Sequence, residues 1–144
     1  MMDDGLPLLH SNSHDPARTL LIELRNALLR LHKTLLDNER YEYEQVHAPI
    51  GPPAAYLELV LNDPWFAWLR PMSGLVVRID EALDAKEPAT DAEVRKLIED
   101  VRTLVKPSEG AAEFQRHYYE ALQRDTNSIL AHAEVSKLLA TKVE

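Results

Sequence analysis

The chain has 144 residues, 45% of them apolar, and a formal net charge of −8. That is the length of about one domain with enough apolar side chain for a core, which excludes wholesale disorder. The acidic balance opposes phosphate backbones and anionic bilayers alike, so neither nucleic acid nor membrane is an expected partner.

Cysteine is absent, which removes thiolate nucleophiles, iron–sulfur clusters, Cys-type zinc sites and disulfides. The glycines, Gly5, Gly51, Gly74 and Gly110, stand alone. No phosphate-cradling or dinucleotide loop can be built from them, and no cofactor is implied.

Residues 1–14 read as a flexible N-terminal arm. The start is acidic, Met1-Met2-Asp3-Asp4, and the apolar run Leu6-Pro7-Leu8-Leu9 is short, so no secretory signal is expected. No segment has the apolar length of a membrane span. The cytoplasm is the expected location.

Asp15-Pro16 reads as a helix cap followed by proline at the first helical position. From there the pattern predicts a helix to Val46, with Leu21, Leu24, Leu28, Leu31 and Leu35 stepping by threes and fours. The run Ala48-Pro49-Ile50-Gly51-Pro52-Pro53 stops it. A short helix over 53–61 follows, and Asp63-Pro64 repeats the cap-plus-proline start. Trp65, Trp68, Met72, Leu75, Ile79 and Ala82 keep one helical phase across Pro71, which predicts a helix kinked there or two short helices nearly in line.

Thr90-Asp91-Ala92-Glu93 is a capping box, opening a helix whose apolar stripe is Val94, Leu97, Ile98, Val101, Leu104 and Val105. Pro107-Ser108 ends it, and a last helix is predicted from Glu109 to Ala140. No strand period appears. The expected fold is all-α: one domain over 15–144, an antiparallel four- to five-helix bundle with a kinked central helix.

The segment Leu61-Asn62-Asp63-Pro64-Trp65-Phe66-Ala67-Trp68-Leu69-Arg70-Pro71-Met72-Ser73, continuing to Asp80-Glu81, resembles a stretch of a family of small uncharacterised bacterial all-helical proteins. It covers under a fifth of the chain. The resemblance implies a bacterial, cytosolic origin and no particular activity.

Candidate sites compete with blander readings. Glu44-Gln45-Val46-His47 has the Glu-x-x-His spacing of bundle metal sites, and Glu113, His117 and Glu120 form a second cluster. A di-metal centre needs several such carboxylates converging from separate helices, so both read as solvated polar faces and no metal is expected. Arg25 and His32 have an arginine–histidine spacing found in helical ribonucleases, which the acidic surface opposes. Trp65 and Trp68 share a face and read as core or dimer contact, while Phe66 points elsewhere. Phe66 and Trp65 are the expected interface residues.

On a helical wheel, Arg25, His32 and Glu39 fall within the leucine arc of the first helix. Asp125 and His132 fall within the apolar arc of the last. If the two helices pack antiparallel, one register sets His32 beside Asp125, Arg25 beside His132 and Glu39 beside Tyr118. Such a layer is either structural or a small-ligand site. The leading functional expectation is a non-catalytic cytosolic interaction or scaffold protein that self-associates, a homodimer in the simplest case. The alternatives are a bundle binding a metal or small ligand through Arg25, His32, Glu39, Asp125 and His132, and a helical ribonuclease.

Overall fold

The computed structural model describes residues 15–106 and 112–143. The expected N-terminal arm and the Pro107-Ser108 cap lie outside the described residues.

Helix α1, Pro16–Val46, starts where the sequence signals it. Asp15 accepts from the backbone N–H of Ala17 at 3.0 Å, and Pro16 opens the first turn, where no intrahelical donor is needed. Its stripe Leu21, Leu24, Leu28, Leu31 and Leu35 is completely buried. Burying each leucine contributes about 1.5–3 kcal/mol, so this seam is the main apolar anchor of the fold. The 3-10 segment and three of the later helices pack against α1.

The chain leaves α1 through a loop in which Gly51 adopts φ +87°, a region that favours glycine. Helix α2, Pro53–Asn62, follows and has no buried residue. Asp63 then accepts from the N–H of Trp65 at 2.8 Å and opens a 3-10 segment, Pro64–Leu69. Helix α3, Arg70–Asp84, begins directly after it, with Pro71 in its first turn.

Where the sequence predicts a helix kinked at Pro71 or two short helices nearly in line, a 3-10 segment hands over to an α-helix. The handover places Pro71 where its missing N–H costs no bond. The change of geometry also moves side chains. In a 3-10 turn, residues three apart eclipse, so Phe66 and Leu69 share a face, and both are buried.

Helix α4, Asp91–Leu104, carries the expected capping box: Thr90 N–H donates to Glu93 Oε1 at 2.7 Å, and Glu93 N–H to Thr90 Oγ1 at 3.1 Å. The last predicted helix is two. Helix α5, Glu113–Arg124, stops at Asp125, whose φ −134° and ψ 111° are extended. Helix α6, Thr126–Leu139, restarts with Asp125 as its cap. Asp125 Oδ2 accepts from Ser128 N–H at 3.2 Å and from Ser128 Oγ–H at 2.6 Å. The run Asp125-Thr126-Asn127-Ser128 consists of residues that compete for backbone hydrogen bonds, which disfavours a helix interior and favours a cap.

Among the described residues the structure is thus all-helical: six α-helices, one 3-10 segment and no strand. No helix among them is long and apolar enough to cross a membrane.

Candidate functional site

The pairings expected within the polar layer are not made. Arg25 donates to Asp80 of α3 at 3.0 Å, not to His132. Glu39 accepts from Trp68 Nε1–H at 3.0 Å and from Arg124, not from Tyr118. Asp125 is the cap of α6, and the cavity it borders is lined by Thr34, Asp37, Asn38 and Tyr41, not by His32. His132 pairs with Tyr118, with 2.6 Å between Nδ1 and the phenolic oxygen. His32 is half-buried and makes no hydrogen bond among the described residues; burial holds its pKa below the ordinary histidine value.

The cause is a register difference that follows from the break at Asp125. The α6 segment, not a continuous last helix, packs on α1. Arg30 meets Glu134 at 2.7 Å, while Asn38 and Glu39 meet Arg124. The expected register would set Arg30 against residue 127. The observed one is displaced by about two helical turns, so every seven-residue coincidence on the wheel found a different partner.

Of the layer, Glu39 is buried as its place in the leucine arc implies, at 7% exposure. Both of its carboxylate oxygens are engaged. The Trp68 ring that donates to it stacks on His117 at 5.4 Å and touches Phe114 at 5.6 Å. A buried indole N–H and a buried carboxylate each need a partner, and this cluster supplies both. Both groups are thereby paired inside the core.

In the second metal-spaced cluster, His117 lies 3.8 Å from Glu113 and stacks on Trp68; the first is engaged locally. Glu44 accepts the N–H of Ile50 at 2.8 Å and closes the loop after α1. His47 stacks on Tyr43 at 4.2 Å, with Nδ1 3.2 Å from the Tyr43 carbonyl oxygen. Among the described residues no group of three or more His, Asp or Glu side chains converges as a metal ion requires. Arg25, half of the ribonuclease spacing, is held by Asp80.

The feature that stands out is the edge formed by α2 and the aromatic cluster beneath it. Helix α2 reads Pro-Ala-Ala-Tyr-Leu-Glu-Leu-Val-Leu-Asn and carries one charge, Glu58. Its main packing is against the 3-10 segment. Leu57 and Leu61 are 58% and 59% exposed, and Tyr41 and Val46 near the end of α1 are exposed as well.

Beneath α2, Tyr43 meets Trp65 edge-on at 5.5 Å and Phe66 at 5.7 Å. Tyr56 meets Phe66 at 6.2 Å, and the Arg40 guanidinium sits 4.5 Å above the Tyr56 ring. Phe66, expected to face a partner, is 1% exposed; the 3-10 geometry turns its ring inward between Tyr43 and Tyr56. Trp65 is half-buried. The packing here is incomplete in one specific respect. Tyr56 Oη and Trp65 Nε1 are both buried with no hydrogen-bond partner, each at a cost of about 1–3 kcal/mol. Burial and the nearby carboxylate of Asp37 push the Tyr56 pKa up, so its hydroxyl keeps its proton.

The sequence held a signal for this edge. The helix between two proline breakers is short and apolar nearly all round, a pattern that marks either a central element or a contact surface. No protein-family model, no curated protein and no solved structure gives a significant match to the chain.

Proposed function

We propose that the chain is a non-catalytic interaction or scaffold protein that self-associates, and that its contact surface is the α2 edge. One observation carries this reading: an apolar ten-residue helix, α2, has no fully buried residue, and Tyr56 on it and Trp65 of the 3-10 segment each hold a buried polar atom without a partner. A monomer gains little from displaying Leu57 and Leu61, since clustered exposed apolar side chains mark contact sites.

The occupant is a second copy of the chain. In a protein of net charge −8, two copies repel through most of their surface. Helix α2 carries only Glu58, so pairing there brings few like charges together. Helix α2 is about 15 Å long. In this reading the remaining helices form an antiparallel bundle on α1, and the protein works in a bacterial cytosol, the origin that the Leu61–Glu81 resemblance implies. Neither nucleic acid nor membrane is its partner.

Static light scattering on the wild type and on the double variant Leu57→Glu, Leu61→Glu tests the proposal. Both side chains are exposed, so the variant keeps its helix content by circular dichroism. The wild type is expected at twice the 16.4 kDa chain mass, and the variant at the chain mass. A wild type that stays monomeric at every concentration, or a variant that associates as the wild type does, overturns it.

A further inference from the structure

His132 and Ser136 lie one turn apart on α6 and present the same face, with 3.2 Å between His132 Nε2 and Ser136 Oγ. Serine beside histidine invites a nucleophile–base reading, and the third group decides against it. Tyr118 of α5 is fully buried, and its hydroxyl lies 2.6 Å from His132 Nδ1, its partner among the described residues. Burial pushes the phenol pKa up, so the hydroxyl keeps its proton and needs an acceptor. That acceptor is Nδ1. Burial also holds the His132 pKa below the ordinary value, which leaves a neutral ring whose single proton sits on Nε2. A base for Ser136 would need the opposite tautomer.

His132 therefore turns an N–H toward Ser136 and toward a surface cavity of about 480 Å³. The polar walls of the cavity are Arg102, Lys106, His132 and Ser136, and Val105 and Leu139 contribute apolar walls. Among the described residues no carboxylate lines it, in a chain with 24 acidic and 16 basic residues. Negative groups bear on it: the Glu99 carboxylate, and the carbonyl ends of both α4, which closes at Val105, and α6. The carbonyl of Leu139, near the negative end of α6, accepts from Arg102 at 3.1 Å. Glu99 accepts from Arg102 Nε at 3.0 Å. Arg102 is thereby largely balanced, and Lys106, which is exposed, supplies the net positive charge of the wall.

From this convergence of donors we infer that the cavity is a binding site for a small organic anion, a carboxylate or phosphate head group on an apolar body. The head group accepts from the Lys106 ammonium and from the Ser136 hydroxyl, whose oxygen accepts from His132 Nε2–H. The body lies against Val105 and Leu139. The cavity volume falls within the usual span of small-molecule sites. This inference is independent of the α2 surface, which lies on other elements.

Calorimetric titration of the full chain with hexanoate, hexyl phosphate, inorganic phosphate and hexylammonium tests it, alongside nitrogen NMR of the His132 ring. Saturable binding of the two hexyl anions, and none of hexylammonium, is expected. The stronger of the two anions identifies the head group, and weaker binding of inorganic phosphate shows that the apolar walls contribute. Lys106→Glu, an exposed change that leaves the fold intact, is expected to weaken anion binding by about tenfold or more, the scale of one charge-assisted hydrogen bond. Ser136→Ala is expected to weaken it less. Hexylammonium binding as well as hexanoate, undiminished anion binding by Lys106→Glu, or a ring protonated on Nδ1 overturns the inference.

Discussion

Trp68 donates its indole N–H to Glu39 across 3.0 Å, joining the 3-10 segment to the C-terminal third of α1 inside the core. Arg124, at the end of α5, binds the other carboxylate oxygen. Three elements distant in sequence are thus registered on a single side chain. Glu39→Leu leaves Trp68 Nε1–H and the Arg124 guanidinium without their acceptor. The expected loss is about 2 kcal/mol, since Arg124 is partly exposed and can turn to water while the indole cannot. A double-mutant cycle with Trp68→Phe, read by urea unfolding, should give a coupling of about 1 kcal/mol. Zero coupling would mean the bond does not hold the fold.

Asp125 is a cap. Asp125→Ala removes the acceptor of the Ser128 N–H and hydroxyl and should cost about 1 kcal/mol, whereas Asp125→Asn, which also caps helices well, should cost a few tenths at most. Thermal unfolding of the two variants separates this from a ligand role. A site carboxylate would lose its function in the asparagine variant too.

Stability should fall on mild acidification. His32 and His132 both have folded pKa values held below the ordinary histidine value by burial. The unfolded chain, near 6.5, then binds protons that the folded chain refuses. Stability is fully present above about pH 6.5 and is lost as pH falls from there through the folded values. Asp100 also has a lowered folded value. Burial raises it, but the hydrogen bonds from Lys96 and Arg78 outweigh that. Its loss therefore begins only in the carboxylate range. Urea midpoints between pH 7.5 and 5 should decline, and the slope should shrink in His132→Phe. A flat profile over that span would show that the two rings accept protons as freely as in water.

How far the sequence carries depends on what kind of information each element needs. The course of α1 is local: a cap, a proline and a leucine seam suffice, and its start at Asp15-Pro16 and the Thr90–Glu93 capping box are both present. The burial of Glu39 was legible from its place in the leucine arc. Its partners were not, because a seven-residue spacing fits equally well at every displacement by whole turns, and the pairing is set by where the other element begins. That beginning was obscured at Asp125. Reading Phe114 to Leu139 as one helix carried the wheel across a break that Asp125-Thr126-Asn127-Ser128 signals locally. Phe66 failed for a similar reason, since a 3-10 turn advances about 120° per residue, not 100°.

The claim that α2 is a self-association surface is tested most directly by amide hydrogen exchange as a function of protein concentration. Helix α2 has little packing of its own, so in the isolated chain its amides should open and exchange at low cost. The account predicts that protection over residues 55–62 rises with concentration while that of α1 does not, and that the rise vanishes in Leu57→Glu, Leu61→Glu. Protection of α2 that is the same at every concentration would contradict it.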